Sequence, residues 1–265
     1  MGKKLDHRLG DKTLRDGLAA ALLRIRDKTG RLVRLKANRA QREFSRTCRG
    51  RNIVLKARQM GITTWVAARF FLATITRRGT LSVLVAHDQR SAEEIFRIVR
   101  RFWENLPERL RCGPLRTSHA NVRQMVFPEL DSEYRVETAA DPDAGRGLTI
   151  QNLHASEVAR WPRDAAGTLA SLRAAVAPNG EIVLESTPNG SAGCFYREWQ
   201  SSSETGMMRH FLPWWWAAEY RRPGLELGNL SEEEQGLVAK HQLAKEQIAF
   251  RRELKANFRG LAKQE

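Results

Sequence analysis

The sequence predicts an α/β fold: a mostly parallel central sheet flanked by helices, followed by a small helical subdomain. Three observations carry that expectation. Short strand-like runs recur along the chain: Ile53-Val54-Leu55, Leu81-Ser82-Val83-Leu84-Val85-Ala86, Ile150 to Leu153, and Ile182-Val183-Leu184. Segments of helical length separate them, as a parallel sheet covered on both faces requires. Finally, 42% of the 265 residues are hydrophobic, which is enough for a real core and excludes a mostly disordered chain.

In chain order, Leu14, Leu18, Leu22 and Ile25 share one helical face, and Asp27-Lys28-Thr29-Gly30 reads as the stop of that helix. The strand Ile53–Leu55 leads into a helix over Thr63–Thr76, and the strand Leu81–Ala86 into one over Ser91–Asn105. Val122–Phe127 and Tyr134–Thr138 read as an extra hairpin. The strand starting at Ile150 is short and weak by apolar content, and a helix over Arg163–Ala177 joins it to Ile182–Leu184. Met207–Trp216 reads as a last strand leading out of the sheet. Arg222-Pro223-Gly224 marks a turn, and Ser231–Gln242 and Ala244–Asn257 read as two helices, Ser231 and Glu234 forming a capping box. The division expected is a basic N-terminal segment (1–45), a core (46–215) and a helical subdomain or linker (216–265). No repeat or low-complexity tract appears.

Composition removes several classes. No run approaches the roughly 20 apolar residues of a membrane span, since Arg69 interrupts the densest, Val66–Ala73. The basic N-terminus lacks the apolar stretch of a secretory signal. Cys48, Cys112 and Cys194 are too few and too scattered for a disulfide framework or a zinc site, which fits a reducing cytoplasm. The histidines (His7, His87, His119, His154, His210, His241) show no metal-binding spacing. The net charge is +15, and residues 1–58 hold 18 Lys/Arg against 5 Asp/Glu, so +13 of it lies in that segment. An anionic partner, nucleic acid first, follows from such a bias, although charge alone does not separate DNA from RNA or from an acidic protein.

Ligands of such sheets bind where strands end and helices begin. The first strand runs into Lys56-Ala57-Arg58-Gln59-Met60-Gly61-Ile62-Thr63-Thr64. A phosphate-binding loop reads G-x-x-x-x-G-K-[ST], with backbone amides around the phosphates and a hydroxyl on Mg²⁺. Gly61 and Thr63 occupy the second-glycine and hydroxyl positions, whereas Lys56 replaces the first glycine and Ile62 the lysine. The third strand ends in His154-Ala155-Ser156-Glu157, and an acid there can orient the water that attacks a terminal phosphate. The fourth ends in Glu185-Ser186-Thr187-Pro188-Asn189-Gly190, where hydroxyls can sense phosphate or water. Trp161 and Trp214-Trp215-Trp216 read as packing residues, His154 as a strand-end packing residue, and Asp88 as a helix cap or ligand contact.

The order of Gln41, the segment Lys56 to Thr64, Gly145-Arg146-Gly147, Leu153 to Glu157, and Glu185 to Gly190 resembles the ATPase region of bacteriophage terminase large subunits. These are the motors that drive viral DNA into a procapsid. Phe211-Leu212-Pro213-Trp214-Trp215 and Asn257-Phe258-Arg259-Gly260 share the resemblance, which runs from about Gln41 to the end of the chain. It implies a P-loop NTPase of the ASCE/RecA-like type with ATP and Mg²⁺ as ligands. By the resemblance Gln41 recognises adenine, Arg58 is the family's P-loop arginine, Thr63 coordinates Mg²⁺ and Glu157 is the catalytic acid of the Walker B motif. Ser186 and Thr187 fall in the motif that couples hydrolysis to movement, and Arg146 in the segment where some relatives carry an arginine finger acting on a neighbouring subunit.

Two departures stand out. Lys56 is the candidate replacement for the missing loop lysine. Ser156 stands where the Walker B aspartate is usual, leaving magnesium to water or to Thr63 alone. The resemblance further implies double-stranded DNA, a small terminase subunit and the portal of a procapsid as partners, in the bacterial host cytoplasm. A homo-oligomeric ring is expected when assembled and a monomer in isolation, without a membrane. Relatives usually carry a nuclease domain beyond the point where this chain stops, so no nuclease activity is expected of it. Two other readings are a helicase-like or remodelling ATPase, and a non-catalytic DNA-binding module with a degenerate loop, which Ile62 and Ser156 favour.

Overall fold

A computed structural model describes residues 12–162 and 164–257, and for residues 12–15, 119 and 120 the backbone alone. The first eleven residues with His7, Arg163, and the Phe258-Arg259-Gly260 segment lie outside the described residues. Helix α1 (Lys12–Leu22) is followed by a small antiparallel hairpin, β1 (Arg24–Arg26) and β2 (Leu32–Arg34), then by α2 (Arg39–Thr47). The alternating part begins with β3 (Arg51–Lys56), α3 (Ile62–Thr76), β4 (Leu81–Ala86), α4 (Gln89–Glu104) and the short α5 (Glu108–Arg111). An antiparallel excursion follows, made of β5 (His119–Ala120), β6 (Gln124–Phe127) and β7 (Ser132–Thr138). Next come β8 (Ile150–Ser156), α6 (Ala165–Ala174), β9 (Val176–Ser186), α7 (Gly193–Gln200) and β10 (Met208–Leu212). Helices α8 (Glu232–His241) and α9 (Lys245–Asn257) close the described chain.

The main sheet has the order β10-β3-β9-β8-β4-β7-β6-β5, parallel from β10 to β7 and antiparallel in its last two pairings. Side chains alternate across it with the period of two that a strand imposes. Val54, Leu84 and Val183 point into one core with α3, α4 and the terminal helices. Their neighbours Ile53, Val83 and Ile182 point into a second core with Leu169 and Leu172 of α6 and Phe195 of α7. Both faces are thereby covered, as expected of a parallel sheet. The first core also takes in Leu23 and Phe44, before the alternating part, and Trp214 and Ile248, after it, so both flanking parts of the described chain pack on the same face.

Several expected boundaries shift. Ile25 lies in β1 instead of continuing α1, because the segment Asp27 to Gly30 is a hairpin turn: Asp27 Oδ1 accepts from the Thr29 amide at 2.9 Å and Gly30 takes a φ of 82°. The helix expected over Arg163–Ala177 is shorter, since Asp164 caps it through the Gly167 amide (2.9 Å) and Val176 already belongs to β9. The strand expected to be short and weak, β8, is a full seven-residue strand between β9 and β4. Two of its buried polar residues are satisfied by neighbouring strands: the Asn152 side chain donates to Ser82 Oγ at 2.9 Å, and Ser156 to Glu185 at 2.6 Å. The extra hairpin is continuous with the main sheet, β7 pairing parallel with β4. Arg69, which breaks the apolar run of α3, forms a two-pronged pair with Glu181 at 2.8 and 3.0 Å.

Candidate nucleotide site

The segment between β3 and α3 is a tight turn fixed from three sides. Gln59 and Gly61 both occupy the left-handed region, with φ of 52° and 72°. The Asn38 side chain donates to the Met60 carbonyl at 3.0 Å, and Gln41 Nε2 to the Gly61 carbonyl at 2.8 Å. The Tyr220 hydroxyl, from the segment after β10, donates to the Arg58 carbonyl. Gln41 is itself held by a capping box at the start of α2: its amide donates to Asn38 Oδ1 and its Oε1 accepts from the Asn38 amide, both at 2.9 Å. The carboxamide oxygen has two lone pairs and its nitrogen two hydrogens, so one donor and one acceptor lie beyond these two bonds. Ala57, Met60 and Ile62 are buried in the first core, while Arg58 and Gln59 are exposed. Ile62, at the position of the usual lysine, is a packing residue.

Three strand ends meet beside this turn. The Lys56 ammonium, at the end of β3, lies 2.8 Å from Glu157 Oε1 and 3.0 Å from Glu185 Oε2. Lys56 is 6% exposed, Glu157 22% and Glu185 not at all. Burial opposes the charge on Lys56, but the facing Glu185 and Glu157 carboxylates outweigh it and hold the ammonium above its ordinary pKa of 10.5. Burial likewise pushes Glu185 up, while the Lys56 charge and hydrogen bonds from His154 and Ser156 pull it further down, so it stands well below its ordinary 4.5. Glu185 Oε1 accepts from Thr63 Oγ1 at 2.7 Å and from Ser156 Oγ at 2.6 Å, with His154 Nε2 at 3.4 Å.

Glu157 follows β8 in the left-handed region, φ 51°, a conformation uncommon for a non-glycine residue and enriched where the surroundings enforce it. The surroundings here are specific. Trp161 Nε1 donates to the Ser156 carbonyl at 2.9 Å beneath the turn, and Glu157 Oε2 accepts from Thr187 Oγ1 at 3.0 Å and the Thr187 amide at 3.3 Å. Ser186 Oγ lies 3.5 Å from the same oxygen. The Asn189 side chain donates to the Ala159 carbonyl at 3.0 Å, tying the ends of β8 and β9 together.

Of the residues singled out in the sequence, Lys56, Thr63, Ser156, Glu157, Ser186 and Thr187 form one connected group, and Gln41 adjoins it through Gly61. Thr64 sits one residue further into α3. Arg146 is not brought into the group: it is exposed and pairs with Asp143 at 2.6 Å. Asp88 caps α4 through the Ser91 amide at 2.8 Å. Trp214 and Trp215 pack on α9 and α8, Trp214 against Phe250 at 5.9 Å and Trp215 against His241 at 4.4 Å between ring centres. Glu185 is the residue that sequence reasoning passed over. Its signal was the serine at 156, which leaves a carboxylate to be found elsewhere. Among the described residues no group of three or more His, Cys, Asp or Glu is arranged to hold a metal by itself. A hard cation shared with phosphates needs fewer protein donors, and the hydroxyl and carboxylate oxygens around Thr63 are of the right kind.

No family model and no curated protein matches the chain by sequence. Its fold does have solved counterparts. The large terminase of bacteriophage HK97 superposes with a TM-score of 0.66 at 13% identity, over 96% of this chain and 54% of that one. The large terminase ATPase domain of Thermus phage P74-26 gives 0.53 at 19% identity, over 82% and 91%. The large terminase of the thermophilic bacteriophage D6E gives 0.52 at 13% identity, over 80% and 52%. A structure of that D6E protein in complex with ADP gives 0.50, over 66% and 45%. This chain thus spans about half the length of the whole terminases it matches. It shares the fold of these phage large terminases, including the ATPase domain of the P74-26 protein.

Proposed function

We propose that the chain is the ATPase domain of a phage terminase large subunit, hydrolysing ATP to drive double-stranded DNA into a procapsid. The observation that carries this reading is the meeting of Lys56 with Glu157 at 2.8 Å beside a left-handed, glycine-containing turn at the carboxyl edge of the sheet. The turn amides, Lys56 and Arg58 hold the phosphates, and Gln41 presents its remaining donor and acceptor to adenine. Thr63 would hold Mg²⁺, which when bound would neutralise charge on the phosphates. Glu157 orients the attacking water. Lys56 pairs with Glu157 at 2.8 Å, and a phosphate taking that place on Lys56 leaves the acid to accept a hydrogen bond from water. Ser186 and Thr187, hydrogen-bonded or close to Glu157, carry the state of the acid into the loop after β9.

Arg146, exposed on its own subunit, acts on a neighbour in an assembled ring. The small terminase subunit and the portal are the protein partners, in the host cytoplasm. No helix among the described residues is long and apolar enough to cross a membrane. The test is Glu157→Gln, which keeps the size of the side chain and removes its charge. Phosphate release should fall at least about 100-fold, the contribution of a positioned acid or base. Binding of magnesium and a non-hydrolysable ATP analogue should persist. An undiminished rate rules the assignment out.

A further inference from the structure

We infer that Glu185 supplies from β9 the carboxylate that the Walker B strand lacks, making it the positioning residue of the magnesium site. The inference rests on the ATPase reading above and concerns which residue completes that site. In P-loop enzymes the cation is held by the loop hydroxyl and by an aspartate at the end of the Walker B strand. Here that strand is β8, and the aspartate's position is Ser156. A serine carries no charge and cannot serve alone. In the parallel pairing of β8 with β9, however, Ser156 stands directly opposite Glu185. Glutamate has one methylene more than aspartate, and from the next strand it reaches the same place: its Oε1 is 2.6 Å from Ser156 Oγ and 2.7 Å from Thr63 Oγ1. The carboxylate has in effect moved one strand sideways, with Ser156 left as a donor that fixes its orientation.

The hydrogen bond from Thr63 gives the mechanism. A hydroxyl that coordinates a cation must offer a lone pair and send its hydrogen elsewhere. Glu185 accepts that hydrogen, which leaves the Thr63 oxygen free on its other side. His154 contributes a second fixed contact at 3.4 Å, and its ring packs edge-on to Phe70 at 6.3 Å. Glu185 is fully buried, and Lys56 lies 3.0 Å from its other oxygen as its charge partner. A carboxylate fixed by two hydroxyl donors and a lysine beside a histidine nitrogen, without solvent contact, is more than a packing residue needs. Burying an ion pair often costs more than replacing it with apolar side chains.

The test uses the whole chain and reads magnesium dependence of binding, separately from turnover. The probe is a non-hydrolysable ATP analogue, titrated calorimetrically with Mg²⁺ and again with EDTA. In the wild type, Mg²⁺ should tighten binding. Glu185→Gln should cut that tightening by about 10–100-fold, the usual effect of removing a ligand's supporting partner, with EDTA binding little changed. The exchange Ser156→Asp with Glu185→Ser returns the carboxylate to β8 and should restore the dependence. It also serves if Glu185→Gln fails to fold. Full magnesium dependence in Glu185→Gln, or a folded exchange variant without it, overturns the inference while the ATPase reading stands. Absence of analogue binding by the wild type under both conditions overturns the ATPase reading and this inference with it.

Discussion

Lys56 and Glu157, 101 positions apart in the chain, are joined at 2.8 Å, and Lys56 also pairs with the fully buried Glu185 at 3.0 Å, while Arg160 reaches Glu157 only at 3.9 Å. Removing Lys56 leaves the buried Glu185 without its cation, and breaking a buried pair from one side costs about 3–5 kcal/mol. Lys56→Met should therefore lower the urea midpoint strongly. Adding Glu185→Gln to it should recover part of the loss, since the second change removes the stranded charge. A Lys56→Met protein as stable as wild type would show that the pair contributes nothing to the fold.

Lys56 and Glu185 also shape the stability profile with pH. Glu185 has a folded pKa below its ordinary 4.5, so its contribution is present above that value and is lost as pH falls below it. Lys56 has a folded pKa above 10.5, so its contribution is intact below that value and is lost only as pH rises through the raised one. Between about pH 5 and 10 neither group changes its contribution. Denaturant titrations across pH should show the Glu185→Gln variant losing less stability than wild type on going from pH 5 to pH 3. Parallel acid limbs in the two proteins would contradict the depressed pKa.

Gly61 joins the turn to Gln41. Its φ of 72° costs another residue about 1–2 kcal/mol, and a Cβ there would stand 2.7 Å from Gln41 Nε2. Gln41 is buried and held at both ends of its carboxamide, so it cannot yield without losing a hydrogen bond, about 0.5–1.5 kcal/mol more. Gly61→Ala should thus cost more in the wild type than on a Gln41→Ala background. A double-mutant cycle with no coupling would mean that the two residues act independently.

The strand-helix alternation was legible because Val54, Leu84 and Val183 and their neighbours are apolar on both faces, and a doubly covered strand has no polar side. The end of β8 was harder to read because Asn152, His154 and Ser156 are polar yet buried, their partners lying on other strands. A partner across a sheet has no fixed sequence spacing. For the same reason Glu157 could be picked out as a strand-end acid, whereas Glu185 could not be given a role: its meaning lies in its register opposite Ser156. The β1–β2 hairpin was read as a helix stop because Asp27-Lys28-Thr29-Gly30 carries the same residues that both structures use. The contact of Tyr220 with the turn had no sequence signal, since 162 positions separate it from Arg58.

That contact leads to the last prediction. Tyr220 donates its hydroxyl to the Arg58 carbonyl and stacks on Phe250 of α9, with ring centres 4.9 Å apart and planes within 7°. Gln247, on the same helix, donates to the Trp215 carbonyl at 2.8 Å. One aromatic side chain therefore touches both the turn after β3 and helix α9. Tyr220→Phe removes the hydrogen bond and keeps the stack; it should cost about 0.5–1.5 kcal/mol and speed amide exchange over residues 57–61 while α9 stays protected. Tyr220→Ala removes the stack too, so exchange should rise in α9 as well, the lost ring pair adding about 0.5–1.5 kcal/mol beyond its buried area. If Tyr220→Phe leaves exchange over 57–61 at the wild-type rate, the hydroxyl does not restrain the turn, and the link from the nucleotide site to α9 would have to run through the Trp214–Phe250 contact instead.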